Sequence, residues 1–183
     1  MKEAPLLSVS MIVKDEEAML PRCLESVRDA DEIVILDTGS MDGTDRIARR
    51  YTDKYISGQY FWNDNFAEAR NKCLEYCSGK WILTIDADEF LCSGGMTIIK
   101  DAVLAADNAT KGFNVNVKSE HYGTVHRSLR VYRRTPEIFW KGAVHNYLSV
   151  SVDNHLSDVV IYYGYSPAHR KDPDRAFRIL KKV

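Results

Sequence analysis

KWILTIDADEFL, residues Lys80–Leu91, changes character at its midpoint. An apolar run, Trp81-Ile82-Leu83-Thr84-Ile85, leads straight into three carboxylates, Asp86, Asp88 and Glu89. Such a run reads as a strand buried on both faces. Carboxylates this close repel one another, and a desolvated one is costly unless paired or bound to a metal. The acids therefore either stand in water just past the strand or hold something positive. In extended chain, residues i and i+2 project to one side, which puts Asp86 and Asp88 together with Ala87 turned away. Two hard oxygen donors suit Mg2+ or Mn2+, which takes one or two carboxylates and completes its shell with water and phosphate oxygens. Asp-x-Asp alone is weak, because Asp29/Asp31 and Asp172/Asp174 repeat it as solvated acids at a turn and a helix start. The position after a buried strand sets Asp86/Asp88 apart.

Outward from this stretch, the first half alternates strand and helix. Leu6–Val13 and Ile33–Leu36 read as two further buried strands. Met19, Leu20, Cys23, Leu24 and Val27 fall at helical spacing, with Pro21 in the first turn, where a missing N–H costs nothing. Asp37-Thr38-Gly39-Ser40-Met41-Asp42-Gly43-Thr44 is a loop dense in turn formers, before a helix over about 45–51. Phe66–Cys77 reads as a helix stopped by Gly79. Strand–helix alternation predicts a parallel sheet with helices on both faces. Beyond that, 111–118, 126–133 and 138–152 predict antiparallel strands and long loops, followed by a strand over 159–163 and a closing helix from about Pro173. One α/β domain spans 1–183, with 1–105 as its nucleotide-side half and 106–183 as its acceptor-side half.

Composition narrows the class. The 183 residues are 45% hydrophobic, enough for one domain with a sizeable core. Net charge is −1, so no global pull draws the chain to nucleic acid or an anionic membrane. No apolar run approaches the ~20 residues of a membrane helix. Met1–Pro5 lacks the features of a secretion signal. The four cysteines, Cys23, Cys73, Cys77 and Cys92, form no CxxC pair, and Cys73/Cys77 read as helix packing. A reduced, cytoplasmic protein is the expectation. The chain ends inside an amphipathic pattern, AFRILKKV, as a trimmed catalytic domain of something longer would.

Ligands of parallel α/β sheets bind beyond the strands' carboxyl ends. Three predicted strand ends carry acids: Asp15 and Glu16, Asp37, then Asp86 and Asp88. SMIVKDEEAMLPRCLESV, DEIVILDTGSMDGT, FAEARNKCLEYCSGKWILTIDADE and GAVHNYL, in that order, resemble the family 2 glycosyltransferases of the GT-A fold, nearest to short bacterial and phage enzymes acting on lipopolysaccharide core or peptides. The resemblance runs from about Leu7 to Leu148 and into YYGYSPAHRKDPDRAFRIL. It implies a GT-A fold, a nucleotide-diphosphate sugar donor, UDP-linked, and a Mn2+ or Mg2+ ion. It implies nucleotide contacts at Val13, Lys14, Glu16, Asp37, Arg70 and Asp86. Asp86 resembles the ribose- and metal-side acid, Asp88 the direct metal ligand, and His145 the histidine beside diphosphate or metal. Glu89 is expected to support the loop. Arg130, Arg133 and Arg134, and the terminal Arg175, Arg178, Lys181 and Lys182, either neutralise phosphate or face solvent.

Two departures stand out. Lys14-Asp15-Glu16 replaces the family's frequent Lys-Asn-Glu, a mild change. Asn146 occupies a position where relatives often carry a glutamate suited to be the general base, and an amide takes no proton at neutral pH. The base then lies elsewhere, with Glu120 a weak candidate; or the acceptor needs little activation; or the enzyme is weakened. The implied reaction is inverting sugar transfer, and its alternative is a nucleotide-sugar binding module without turnover. A sugar nucleotidyltransferase would need a glycine- and basic-rich phosphate loop after the first strand, which MIVKDEEAML lacks.

Overall fold

The computed structural model describes residues 4–164, 167 and 174–181. Every residue of the run Leu7–Val13 except Ile12 is buried, and this strand, β1, lies inside the sheet as its composition requires. Helix α1 (Leu20–Val27) follows with Pro21 in its first turn. Next come β2 (Glu32–Asp37), α2 (Thr44–Ala48), β3 (Lys54–Ile56), α3 (Phe66–Tyr76), β4 (Trp81–Thr84), β5 (Glu89–Leu91) and α4 (Gly95–Ala105). The second half contributes β6 (Gly112–Ser119), β7 (Val125–Arg133), β8 (Trp140–Lys141), β9 (Tyr147–Leu148), β10 (His155–Tyr163) and α5 (Arg175–Leu180). The expected closing helix thus starts at Arg175; Pro173, Lys182 and the side chain of Arg175 lie outside the described residues.

Eight strands form one sheet in the order β3-β2-β1-β4-β7-β6-β10-β5, and β8 pairs β9 in a small second sheet. β1 pairs β2, β2 pairs β3 and β1 pairs β4 in parallel, as the alternation predicts. β7 pairs antiparallel with β4 and with β6, as expected of 126–133, and so joins the second half to the first sheet. The second half corrects the sequence reading in two ways. β6 and β10 run parallel, since the chain crosses back through β7 and the β8–β9 hairpin before β10 begins. And 138–152 holds only the two short strands of that hairpin.

Side-chain alternation divides the core between the two faces of the sheet. Val9, Met11, Ile35 and Leu83 pack with Leu20 and Leu24 of α1 and Ile99 of α4. Val34, Leu36 and Ile82 point the other way, to Ala67 and Cys73 of α3 and to Tyr132 and Trp140. Cys73 and Cys77 belong to this second cluster and are free thiols, in line with packing. Gly79 corrects an expectation. α3 ends at Tyr76 with Cys77 in extended conformation, so no left-handed glycine closes the helix. Gly79 is needed because a Cβ there would lie 2.5 Å from Ser8 Oγ.

Glu32 ties the other end of the sheet together. Its carboxylate accepts from Ser8 Oγ (2.5 Å), the Ser78 amide (2.7 Å), Ser78 Oγ (2.5 Å) and Lys54 Nζ (2.6 Å), joining β1, β2, β3 and the turn before β4. Burial alone would raise its pKa, but these donors outweigh burial and hold it at about 2. A carboxyl depressed in the folded state stabilises above the unfolded value and loses that contribution as pH falls toward the folded one. Wild-type stability should therefore fall between about pH 4.5 and pH 2. Glu32→Gln should be less stable by roughly 2–3 kcal/mol at pH 7 and show a flatter acid limb, checked by urea unfolding across that range.

Candidate functional site

Parallel pairing sets three strand ends at one edge. Val13 is in register with Asp37, and Ser10 with Thr84, so the loops after β1, β2 and β4 leave the sheet side by side. The first two loops are knitted together. Asp15, at φ +55°, donates its amide to Ser40 Oγ (2.9 Å) and accepts from the Met41 amide (2.7 Å). The Glu16 amide donates to Thr44 Oγ1 (2.8 Å), and Glu17 accepts from the Gly43 amide (2.9 Å). The Val13 carbonyl accepts from both the amide and the hydroxyl of Thr38. The dense polar composition of both loops is thereby accounted for: side chains satisfy backbone that the sheet no longer serves.

Asp37 is buried, and its Oδ1 accepts from the amides of Gly39 and Ser40, each at 2.8 Å. Tyr55 of β3 donates its hydroxyl to Oδ2, and burial together with this carboxylate pushes the phenol's pKa up. The sequence reading missed Tyr55, since nothing in LYS-Tyr-Ile spacing links β3 to the end of β2. Carboxylate oxygens retain further acceptor sites at this geometry.

The third loop corrects the opening expectation. β4 stops at Thr84, and 86–89 is a tight turn in which the Glu89 amide donates to the Asp86 carbonyl (3.0 Å). The side-by-side arrangement of an extended i, i+2 pair therefore does not apply, and Ala87 is buried while Asp86 and Asp88 are partly exposed. Four contacts brace the turn. Glu89 Oε2 accepts from the Asp86 amide (2.9 Å), the loop-supporting role expected of it. Cys23 donates its thiol to the Asp86 carbonyl (3.3 Å), and burial raises that thiol's pKa well above normal. The Gly164 amide donates to the Asp88 carbonyl (3.0 Å). Arg70 Nη2 pairs with Asp86 Oδ1 at 2.8 Å.

Arg70 comes from α3, whose inner face presents it beneath the turn; it is 7% exposed. Its Nε donates to Asn146 Oδ1 (3.0 Å), and its guanidinium lies 4.9 Å from the centre of the Trp140 ring. Nη1 is buried and has no hydrogen-bond partner among the described residues. Arg130 meets Glu89 through two bonds, Nη2–Oε1 at 2.6 Å and Nη1–Oε2 at 3.1 Å. Burial pushes the Glu89 carboxyl above the usual range while Arg130 pulls it back.

The other predicted residues separate. Arg133 and Arg134 lie at the far end of the sheet, where Arg133 faces the start of β4 at Trp81; Arg133 donates to the carbonyls of Thr110 and Asp107, and Arg134 to that of Gly79. Neither bears on the acidic edge; Arg133 is partly buried, whereas Arg134 is exposed, as its solvent-facing reading expects. Arg130 is committed to Glu89 rather than exposed. Arg178 of α5 lies 3.6 Å from Asp64, in the loop before α3. Glu120 pairs with Arg22 of α1 (3.0 Å), and its Oε2 would lie 3.3 Å from a Cβ on Gly164. Lys14 is exposed, and His145 is exposed with φ +52°.

Residues 8–143 match the family described as glycosyl transferase family 2. The chain belongs to this family. Among family relatives, it is 29% identical over 175 residues to the SPbeta prophage-derived glycosyltransferase SunS of Bacillus subtilis, covering 91% of this chain and 41% of SunS. It spans about two fifths of the length of the curated relatives it matches most fully. Among solved structures, Staphylococcus aureus TarS 1-349 in complex with UDP-GlcNAc superposes with a TM-score of 0.67 at 15% identity, covering 97% of this chain and 65% of that one. Glucosyl-3-phosphoglycerate synthase of Mycobacterium tuberculosis, in complex with Mn2+ and UDP-glucose, gives 0.64 at 16% identity, covering 96% and 77%. The fold is the GT-A fold.

Within this family fold, the fit of a divalent ion rests on its donors. Among the described residues no three His, Cys, Asp or Glu side chains come together as an all-protein cage, so His145 does not join Asp86 and Asp88 in one. A turn offering two carboxylates still matches a hard cation that takes the rest of its shell from water and phosphate. No helix of the described residues is long and apolar enough to cross a membrane.

Proposed function

We propose that this chain transfers a sugar from a nucleoside-diphosphate sugar, UDP-linked, to an acceptor nucleophile with inversion at the anomeric carbon. The carrying observation is that Glu16, Asp37, Asp86 and Arg70 sit at one edge of the parallel sheet, where β1 and β2 end in register and β4, parallel to β1, stops beside Ser10. The UDP-sugar complexes of TarS and of the mycobacterial synthase support the donor class, and the latter's Mn2+ supports the metal.

In this reading Asp37 and Glu16 bind the base and ribose, with Val13 and Lys14 lining that side. Asp86 and Asp88 hold Mn2+ or Mg2+, with His145 near the diphosphate. The ion, when bound, supplies Lewis-acid stabilisation of the charge on the leaving diphosphate. Arg70 adds a fixed positive charge from below the turn, already oriented before the donor binds. The acceptor's oxygen forms the new bond to the anomeric carbon as the bond to the diphosphate breaks, and its proton goes to a base. Glu120, placed against the backbone that holds Asp88 and oriented by Arg22, is the carboxylate assigned to take it. A soluble, cytoplasmic setting agrees with a nucleotide-sugar donor.

The test is a melting curve. UDP with Mn2+ at about 100 times its dissociation constant stabilises by about 2.7 kcal/mol, which in a domain of this size raises Tm by roughly 5–10 °C. Absence of any shift with every nucleoside diphosphate at saturating metal would overturn the reading. Binding without transfer or donor hydrolysis would instead favour the silent binding module that Asn146 motivates.

A further inference from the structure

One flank of α3 turns Arg70 under the acidic turn; another flank has no part in the reading above. Asn65, Glu68, Lys72 and Glu75 follow one another at three- and four-residue spacing, which sets them along one side of the helix. With Tyr60, and with Lys141 and Gly142 from the end of β8, they line an open groove of about 470 Å3. That volume falls within the range of small-ligand sites. The flank from Asn65 to Glu75 is about 15 Å long by the helical rise. One end of the groove adjoins the candidate site. The Phe66 amide donates to the Ala143 carbonyl (3.0 Å), and the loop 142–146 that starts at the groove also carries Asn146, bonded to Arg70.

The lining selects a class of ligand. Among the described residues no Leu, Ile, Val or Met lines the groove, so it offers no pocket for an apolar group. Its charges balance, Glu68 and Glu75 against Lys72 and Lys141, so it favours neither an anion nor a cation. Lys72 Nζ bonds Glu75 Oε2 (2.7 Å), and Glu68 Oε2 accepts from Asn63 Nδ2 (2.8 Å). An ammonium has three donor positions and a carboxylate about four acceptor positions. Donors and acceptors therefore both remain for a ligand, which suits a molecule dense in hydroxyl groups. Tyr60 packs against the core and also lines the groove, adding an aromatic surface for the C–H face of a sugar ring. Asn71 closes the route to an extended peptide. Its Nδ2 donates to the Trp140 carbonyl (2.9 Å) and its Oδ1 accepts from the Trp140 amide (2.8 Å), so the β8 backbone beside the groove cannot pair with an added strand.

We propose that this groove is a saccharide subsite, seating neutral sugar units of the acceptor along the flank of α3. The ligand class stands on the chemistry of the groove; its role toward the acceptor rests on the sugar-transfer reading above.

The test is NMR titration of the full 15N-labelled chain with maltotriose, cellotriose, chitotriose and mannotriose at millimolar concentration. Trigalacturonate and an uncharged glycine–serine peptide are the comparators. The amides of Asn71, Lys141 and Gly142 should shift with at least one neutral trisaccharide, and that sugar should bind more tightly than either comparator. Glu75→Ala combined with Lys141→Ala changes two exposed side chains and should weaken the sugar about tenfold, as expected of two lost hydrogen bonds. The same variant should keep UDP–Mn2+ affinity and donor hydrolysis within about twofold of wild type, since its changes lie apart from the donor's edge. Saturation with the sugar should alter the rate of UDP-sugar turnover in the wild type and not in the variant; an unaltered wild-type rate overturns the acceptor role. No groove shift with any of these trisaccharides, equal binding of trigalacturonate, groove shifts with the peptide alone, or undiminished sugar affinity in the variant overturns the subsite. A chain that binds the sugar but no nucleoside diphosphate keeps the subsite and loses the proposed function; one that binds UDP without any groove shift loses the subsite alone.

Discussion

Asp88→Asn should lower sugar transfer, or donor hydrolysis where no acceptor is at hand, by at least about a hundredfold at saturating donor and Mn2+. The substitution keeps the side chain's shape and removes its charge. Backbone contacts brace the turn whatever that charge does: Glu89 on the Asp86 amide, Cys23 on the Asp86 carbonyl and Gly164 on the Asp88 carbonyl. Melting temperature should therefore stay within about 3 °C of wild type, since an uncharged replacement at a partly exposed site costs no more than roughly 1 kcal/mol. The metal's share of catalysis is several kcal/mol of charge stabilisation on the departing diphosphate, and each 1.36 kcal/mol is a factor of about ten in rate. Initial rates over a Mn2+ series, with circular dichroism melts on the same preparations, separate the two effects. Turnover near the wild-type level in a normally folded Asp88→Asn would sink the metal assignment.

The largest stability effect should come from Arg130→Met. Arg130 and Glu89 are 12% and 6% exposed at their side chains and meet through two hydrogen bonds. Removing one partner of such a pair leaves a buried charge uncompensated and costs about 3–5 kcal/mol, a fall in Tm of roughly 6–20 °C for a domain of this size. Glu89 also accepts the Asp86 amide, so the loss should spread into the turn that carries the site. Adding Glu89→Gln to Arg130→Met should recover at least half of the lost stability, because a neutral amide oxygen still accepts from Asp86 without a desolvated charge. Thermal melts of the two single variants and the double close this cycle. A single Arg130→Met variant melting within 2 °C of wild type would show that the pair contributes nothing.

What was legible in the sequence follows from period and position. β1, β2 and β4 announce themselves as continuous apolar runs because both faces are covered, and the acids at their ends stand out against that background. The polar loop 37–44 and the helix carrying Arg70 were legible for the same reason. Non-local pairing was not. Nothing in the spacing of 112–119 and 155–163 says that β6 and β10 run parallel, because direction depends on where the chain crosses between them. α4 passed unread although Met96, Ile99 and Val103 keep helical spacing and Ser93-Gly94 breaks the chain before it. The side-by-side geometry expected of Asp86 and Asp88 assumed extended chain where a turn begins at the residue after Ile85. Arg130, Arg133 and Arg134 are neighbours in sequence, yet the register of β7 on β4 sends the first toward the acidic edge and the other two to the opposite end. The hydrogen bond between Arg70 and Asn146 spans 76 residues and has no local signature.

The seam between β4 and β7 has a mechanical meaning. The strand that delivers the acidic turn is hydrogen-bonded on one side to β1 of the first half and on the other to β7 of the second. No linker separates the halves at that point, so they cannot swing about the site as two hinged bodies. Adjustment to a donor or an acceptor has to be borne by segments outside the ladder, such as 57–65 and 120–124, while the floor of the site stays stiff.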